Sequence, residues 1–291
     1  MAKLKEVQLK IKGIKKTKQI TSAMKMVASS KLRSAQMRME SFRPYADKFA
    51  QVLGNLAELS KDDPNPLLTA RETVQKTHII ICTSDRGLCG GFNANILSKV
   101  ESFVKSHKDQ ELTFTAFGKK AKEWCKKNKH QINDEYIGIV GAKFGFNVAV
   151  RSGNELIQQF LQGTYDEVYI VYSEFTSLIK QTPIVKPLLP IPSIKVEETE
   201  ESSYLAEHIC EPSRKEVLSE LLPRNIYIQI HRALLETSAS EYAARMTAMD
   251  NATKACTDML KELKRVYNKV RQSAITADLM DIVGGAEALK G

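Results

Sequence analysis

The chain has 291 residues, of which 43% are hydrophobic and 26% are charged, and its formal net charge is +9. This length and hydrophobic content predict one or two domains with a genuine core. No apolar run approaches membrane-spanning length, and helical heptads begin at once in the N-terminal sequence MAKLKEVQLKIKG. We therefore expect neither a membrane span nor a signal or transit peptide.

The cysteines give little sign of chemistry. Five of them are widely spaced, with no CxxC pair and no metal-ligand spacing that involves the five histidines. This usage favours a reduced compartment with buried or incidental thiols. No paired carboxylates stand out either, so we expect no catalytic centre, metal or cofactor in this chain.

The first stretch, residues 1–60, has the apolar periodicity of a coiled-coil helix. Lys18, Thr21 and Lys25 interrupt its seam. Because Ile20, Met24 and Val27 lie beside this break, we expect the apolar stripe to shift sideways there. The full series of seam positions is Leu4, Val7, Ile11, Ile14, Lys18, Thr21, Lys25, Ala28, Leu32, Ala35, Met39, Phe42, Ala46, Phe49, Leu53 and Leu56.

Charge is concentrated at the start of this helix. Residues 1–35 contain ten Lys and Arg against one acid, Glu6, so their net charge equals that of the whole chain. A charge run is usually a solvated helix face. The sharper interpretation is an acidic partner around this end of the helix, either nucleic acid or acidic protein loops.

The middle of the chain, residues 75–192, alternates predicted strands and helices, which is typical of a small parallel or mixed sheet covered by helices. Prolines in the last strand predict an edge position. The acidic residues 193–213 follow as a linker or foot region. Strands are predicted at 78–84, 112–118, 167–173 and 183–191, and helices at 94–106, 119–129 and 148–161.

A glycine-rich loop, SDRGLCGGFN at 84–93, joins the first strand to a helix and suggests a phosphate cradle. It has neither GK[ST] nor G-x-G-x-x-G spacing, so tight backbone packing is the favoured interpretation. Asp85 and Arg86 are a candidate contact pair within it. Cys89 is flanked by glycines and expected to be accessible, but no histidine base accompanies it, which disfavours nucleophilic catalysis.

The last stretch, residues 214–291, is again helical with a sustained seam. Residues 224–283 lack Gly and Pro, and sixty helical residues span about 90 Å, against about 50 Å for a compact globule of this chain length. We therefore expect the two terminal helices to pair antiparallel, and we disfavour two separate bundles because the short turns are missing. The seam positions are Ile228, Arg232, Leu235, Ala239, Tyr242, Met246, Met249, Thr253, Cys256, Leu260, Leu263, Tyr267, Val270, Ala274 and Ala277.

The predicted fold class is therefore α/β, with a long antiparallel coiled coil of the N- and C-terminal helices and a Rossmann-like α/β domain between them. Five segments, in this order and at these distances, make the chain resemble the gamma subunits of F-type ATP synthases over nearly its whole length. They are IKKTKQITSAMKMVASSKLR (14–33), RPYA (43–46), SDRGLCGGFN (84–93), AARMTAMDNAT (243–253) and YNKVRQSAITADLMDIVGGAEAL (267–289).

The resemblance implies a non-catalytic rotor. In that family the coiled coil turns inside a ring of alpha and beta subunits, and the α/β domain lies against the epsilon subunit and the membrane ring. It also implies a peripheral location on the cytoplasmic face of the bacterial inner membrane. The chain lacks the cysteine-containing insertion of chloroplast forms, so thiol switching is not expected.

The resemblance further implies partner-contact residues. Met24 and the cations near it match the region that faces acidic loops of the beta subunit, and Lys25 departs from the acidic residue common there. Asp278 stands where the family usually has Glu, which shortens the reach of that carboxylate. The remaining matches are Arg245 in the AARM motif, Arg271, Gln272 and Thr276 at the head contact, and Glu211 with Pro212 in the foot region.

The sequence has features of two other functions. A basic coiled coil that binds nucleic acid would explain the charge but not the α/β domain, and its basic arm lacks interleaved aromatic residues for base stacking. An α/β nucleotide enzyme would need the phosphate loop that is missing here. Neither fits as well as the rotor, for which no nucleic-acid partner is expected.

Overall fold

The computed structural model describes residues 2–58, 65–192, 210–211 and 213–288. Most of the predicted linker or foot region at 193–213, including Pro212, lies outside the described residues. The elements in chain order are α1 (Ala2–Glu58), β1 (Lys76–Cys82), α2 (Phe92–Ser106), β2 (Glu111–Phe117), α3 (Lys119–Lys127), β3 (Gln131–Tyr136), α4 (Phe146–Leu161), β4 (Glu167–Phe175), β5 (Gln181–Leu189) and α5 (Arg214–Ala288).

The five strands form one sheet in the order β3-β2-β1-β4-β5. The first four are parallel, and β5 pairs antiparallel with β4 at one edge. The predicted edge position of the Pro-containing strand is thus confirmed. The prediction missed β3, because QINDEY is short, mostly polar and only half-buried at the opposite edge.

Alternate residues of β1 supply the two faces of the sheet, as the two-residue period of a strand requires. Ile79 and Ile81 pack with α2 and α3 residues such as Ile96 and Trp124. Ile80 and Cys82 face a second core, to which α4 and parts of α1 and α5 contribute. The members of that core that come from helices include Leu53, Leu56, Leu156, Phe160, Leu222, Ile226, Ile230 and Leu234.

The packing of α4 on α5 depends on a glycine. A Cβ built on Gly153 would lie 2.4 Å from Cδ1 of Tyr227, closer than carbon atoms approach each other. Any larger residue would push the tyrosine ring away, so Gly153 sets the distance between these two helices.

The chain divides into two compact units. One comprises Met1–Ala28 with Arg245–Gly291, and the other comprises Ser29–Ala244. The second unit contains the sheet. In it α1 and α5 run antiparallel, because Arg43 bonds Glu236 while Asp47 bonds Arg232. The seam residues of α1 in this unit are buried: Leu32, Ala35, Met39, Ala46, Leu53 and Leu56.

The helices also run antiparallel in the first unit, where Thr21 contacts Thr253 and Lys25 contacts Asp250. The expected sideways shift of the stripe is wrong. Ile20 and Val27 are 60% and 61% exposed, whereas Thr21 on the original seam is buried. A polar seam residue can be buried here because the Thr253 hydroxyl donates a hydrogen bond to it.

Fold class is therefore confirmed as a mixed α/β sheet domain with antiparallel terminal helices. The domain boundaries at 60, 75, 192 and 214 stay predictions. Among the described residues, no helix combines the length and hydropathy that crossing a bilayer requires.

Candidate partner-contact sites

The Met24–Lys25 region is a polar interruption of the helix pair. The Lys25 ammonium lies 2.6 Å from an Asp250 carboxylate oxygen, and Lys254 binds the other oxygen at 2.8 Å. Hydrogen bonds from Lys25 and Lys254 lower the pKa of Asp250 to about 2. Met24 beside them is half-buried. An acidic partner loop would therefore compete with Asp250 for the Lys25 charge.

The unit that contains this region carries the whole net charge. Met1–Ala28 and Arg245–Gly291 together hold sixteen Lys and Arg against seven Asp and Glu, which gives +9, so Ser29–Ala244 is neutral. Arg245 at the start of the second segment is buried, and it presents little surface to a partner. The exposed cations of this unit lie on both α1 and α5.

The four predicted head-contact residues at the end of α5, Arg271, Gln272, Thr276 and Asp278, are all exposed. The Thr276 hydroxyl donates to the Gln272 carbonyl at 3.0 Å, as helical threonines commonly do. The Thr21–Thr253 contact sets a register in which the start of α1 lies opposite about residue 272 of α5.

Beyond that point lies the C-terminal segment, residues 275–288 of α5. It remains helical through Gly284 and Gly285. Its described side chains are all exposed, and each of its large apolar side chains is more than half exposed. They are Ile275, Leu279, Met280, Ile282 and Val283. Since a soluble monomer rarely exposes so many adjacent apolar residues, this segment has the character of a binding surface.

Glu211, the predicted foot residue, is exposed. Within the described residues, no contact joins Glu211 to another of the predicted contact residues. Its matching partner in the motif, Pro212, lies outside the described residues.

The glycine-rich loop packs against itself. The Ser84 backbone N–H and hydroxyl both donate to Asn93, and the Asn93 amide donates to the Cys89 sulfur at 3.2 Å. Cys89 is only 2% exposed, so the expected accessibility of this thiol is wrong. The Asp85 carboxylate accepts the backbone N–H groups of Lys119 and Gly138, which fixes the loop to two neighbouring strand ends. No contact joins it to Arg86 among those described.

A ligand of a doubly wound sheet usually binds where the strand order reverses, at the carboxyl ends of the strands. Here that point lies between β1 and β4. Pairing of β1 with β4 stops at Val171, and the next backbone groups of β4 are bonded by helix side chains. Glu236 accepts the Phe175 N–H, Arg43 donates to the Phe175 carbonyl, and Ser240 donates to the Ser173 carbonyl. The usual nucleotide crevice is filled by the chain itself.

Sequence reasoning missed Arg43 and Glu236 as a pair. Arg43 was noted only as part of the RPYA motif, and Glu236 lies between apolar residues at 233–235 and small residues at 237–240. The available signal was a carboxylate among apolar and small residues of a long helix, since a buried charge requires a partner. No cluster of His, Cys, Asp and Glu within the described ranges could hold a metal.

Several known proteins are similar to this chain. The model of the family described as ATP synthase matches residues 3–289. A curated ATP synthase gamma chain of Desulfosudis oleivorans is 58% identical, and the match covers all of both chains. One from Desulforapulum autotrophicum is 59% identical over 99% of this chain and all of that one. The chain belongs to the ATP synthase gamma chain family.

Solved structures agree with this membership at the level of the fold. The gamma chain described here is similar to a chain of the Euglena gracilis mitochondrial ATP synthase in its OSCP/F1/c-ring structure, with a TM-score of 0.67, 19% identity and coverage of 99% and 95% of the two chains. A chain of the rotor structure from the same organism gives a TM-score of 0.63 at 18% identity, covering 94% of this chain and 99% of that chain.

Proposed function

We propose that this chain is the central-stalk rotor subunit of an F-type ATP synthase, coupling ion-driven rotation of a membrane ring to conformational change in the catalytic head. One observation carries the proposal. The full-length family match coincides with two terminal helices that pair antiparallel, carry the net charge in one unit and end in an exposed apolar segment.

The mechanism follows from symmetry. A pair of helices has no threefold axis, so it presents a different face to each of three equivalent catalytic subunits. Each subunit's open and closed forms are then biased by a different contact free energy, which is what a conformational shift requires. Rotation moves each face to the next subunit in turn.

The partners proposed are the alpha and beta subunits, the epsilon subunit and the membrane ring. Met24 and the cations around it, including Lys25, would meet acidic loops of the head, since opposite charge favours such an encounter. Arg271, Gln272, Thr276 and Asp278 would bind the head near the apolar C-terminal segment. Glu211 would lie towards the ring. The complex would hold the chain peripherally at the cytoplasmic face of the bacterial inner membrane.

The rotor is proposed to do no bond chemistry. The filled crevice between β1 and β4 and the self-packed glycine loop support this part of the proposal. The purified chain should neither bind nor hydrolyse ATP, and turnover that persists through rigorous purification would contradict it.

Co-purification tests the rotor assignment. An affinity tag on this chain should retain alpha, beta and epsilon subunits from solubilised membranes. The same tag on a chain truncated after residue 270 should retain less of the head, because the C-terminal contacts are removed. Recovery of nucleic acid in place of these subunits, in a salt-sensitive manner, would favour the rival function instead.

A further inference from the structure

Three elements meet at one buried carboxylate. Two guanidinium nitrogens of Arg43 on α1 bind Glu236 on α5 at 2.8 to 3.0 Å. The same guanidinium donates to the Phe175 carbonyl at 3.0 Å, and Glu236 accepts the Phe175 N–H at 2.9 Å. Arg43, Glu236 and the Phe175 backbone each bond to both of the other two. These hydrogen bonds therefore join α1, α5 and β4 pairwise.

Burial makes this cluster stiff. The Glu236 side chain is 1% exposed and that of Arg43 34% exposed. A charged pair with bidentate geometry holds its partners in one orientation, and a buried carboxylate has no water to replace a lost bond. Displacing α1 or α5 relative to the strand would therefore break several bonds at once.

A second ion pair provides a contrast on the same two helices. Arg232 on α5 donates to Asp47 on α1 at 2.9 Å, one turn away from the cluster. The Asp47 side chain is 60% exposed, and the described bonds of the pair include none to the sheet. Its hydrogen bond joins helix to helix, whereas the hydrogen bonds of Arg43 and Glu236 also join the helices to the sheet.

The point of attachment on the sheet is also informative. Beyond Val171 the strand β4 has lost its β1 neighbour, and its partner on the other side is the edge strand β5. Glu236, Arg43 and, one turn further along α5, Ser240 bond the backbone groups of β4 in this stretch. A force on the helices would therefore act on β4, which pairs with the central strand β1.

We propose that Arg43 and Glu236 are positioning residues that transmit torque between the helix pair and the α/β domain, with the Phe175 backbone as the attachment point. This inference rests on the proposed rotor function. It assigns a mechanical task to a pair of residues that touch neither nucleotide nor the predicted head contacts.

The test is the torsional stiffness of the rotor in the assembled complex. A bead is attached through Lys105→Cys, at an exposed position of α2, in a chain whose half-exposed Cys210 is changed to Ser. The head is immobilised, and the bead's angular distribution is recorded during catalytic pauses. Because the angular variance at a fixed temperature is inversely proportional to stiffness, a loosened attachment broadens the distribution.

Arg43→Met and Glu236→Gln should broaden the distribution, while Arg232→Met should leave it as in the parent chain. The double variant Arg43→Met with Glu236→Leu separates mechanics from stability. It leaves no unpaired buried charge, so the melting temperature should return towards that of the parent, yet the bonds to Phe175 remain absent and the distribution should stay broad.

Equal distributions in the parent and in all cluster variants would overturn the inference, as would a double variant that regains both stiffness and melting temperature. Broadening by Arg232→Met to the same extent would also overturn it, because any link between the helices would then suffice. If the parent chain itself never rotates, the proposed rotor function is wrong. The torque inference, which rests on that function, is then wrong as well.

Discussion

Leu32 offers the sharpest test of the helix pairing. It lies on the predicted seam of α1 and is 5% exposed, whereas Met37 on the same helix is 63% exposed. Removing a buried leucine side chain as far as alanine costs about 2–5 kcal/mol. A carboxylate left there without a partner adds about 1–3 kcal/mol. Leu32→Asp should therefore lower the free energy of unfolding by about 3–8 kcal/mol, a large part of the 5–15 kcal/mol typical of a folded domain.

The assay is urea unfolding of the purified chain, followed by the helical circular dichroism signal. Leu32→Asp should move the midpoint to much lower urea, and Leu32→Ala should give an intermediate shift. Met37→Asp is the matched control, because it adds the same charge to an exposed position and should shift the midpoint little. Equal midpoints for the two aspartate variants would refute the seam assignment.

Three further predictions use other parts of the molecule. Gly153→Ala should destabilise the chain by about 1–3 kcal/mol in urea unfolding, since the added methyl group overlaps a tyrosine ring of α5. Burial lowers the pKa of His231 to about 4, from an ordinary value of about 6.5, so the unfolded state binds more protons between these values and stability should fall as pH drops from 6.5 to 4. His231→Phe should make the free energy of unfolding depend less on pH over this range. Arg271→Ala combined with Thr276→Ala should weaken ion-driven ATP synthesis in membrane vesicles.

Each of these has a control. Gly13→Ala should be neutral or stabilising by up to about 1 kcal/mol, because nothing lies near the added methyl group and alanine favours the helix. His231→Phe leaves His78, whose burial also lowers its pKa to about 3, so some acid sensitivity should persist. An identical pH profile in parent and variant would contradict the His231 argument. For the double alanine variant the control is Lys264→Ala, and equal synthesis rates in both would contradict the head contact.

The heptad pattern predicted most buried positions of the terminal helices, although its last seam position, Ala277, is exposed. Its error at the polar interruption of α1 has a physical cause. From α1 alone, Thr21 looked like a defect that the apolar stripe would avoid. The interruption in α5, Thr253, lies opposite it and supplies a hydroxyl. Likewise the interruption Arg232 meets Asp47. Such pairs follow from the antiparallel register and cannot be found from one helix at a time.

The contacts of the α/β domain were less predictable. Cys89 was expected to be accessible because glycines flank it, but burial depends on where Asn93 and Ser84 fold back. The Arg43–Glu236 pair spans 193 residues of sequence, and no local pattern links its members. The proposed contact residues on the end of α5 came from resemblance alone, since exposed polar side chains leave no periodic signal.

The central claim is that this chain turns inside a catalytic head, and the most direct measurement follows a bead on the α/β domain while the immobilised head hydrolyses ATP. The account predicts unidirectional rotation that stops when ATP is removed. A bead that keeps one fixed orientation while the same preparation hydrolyses ATP at its full rate would contradict it.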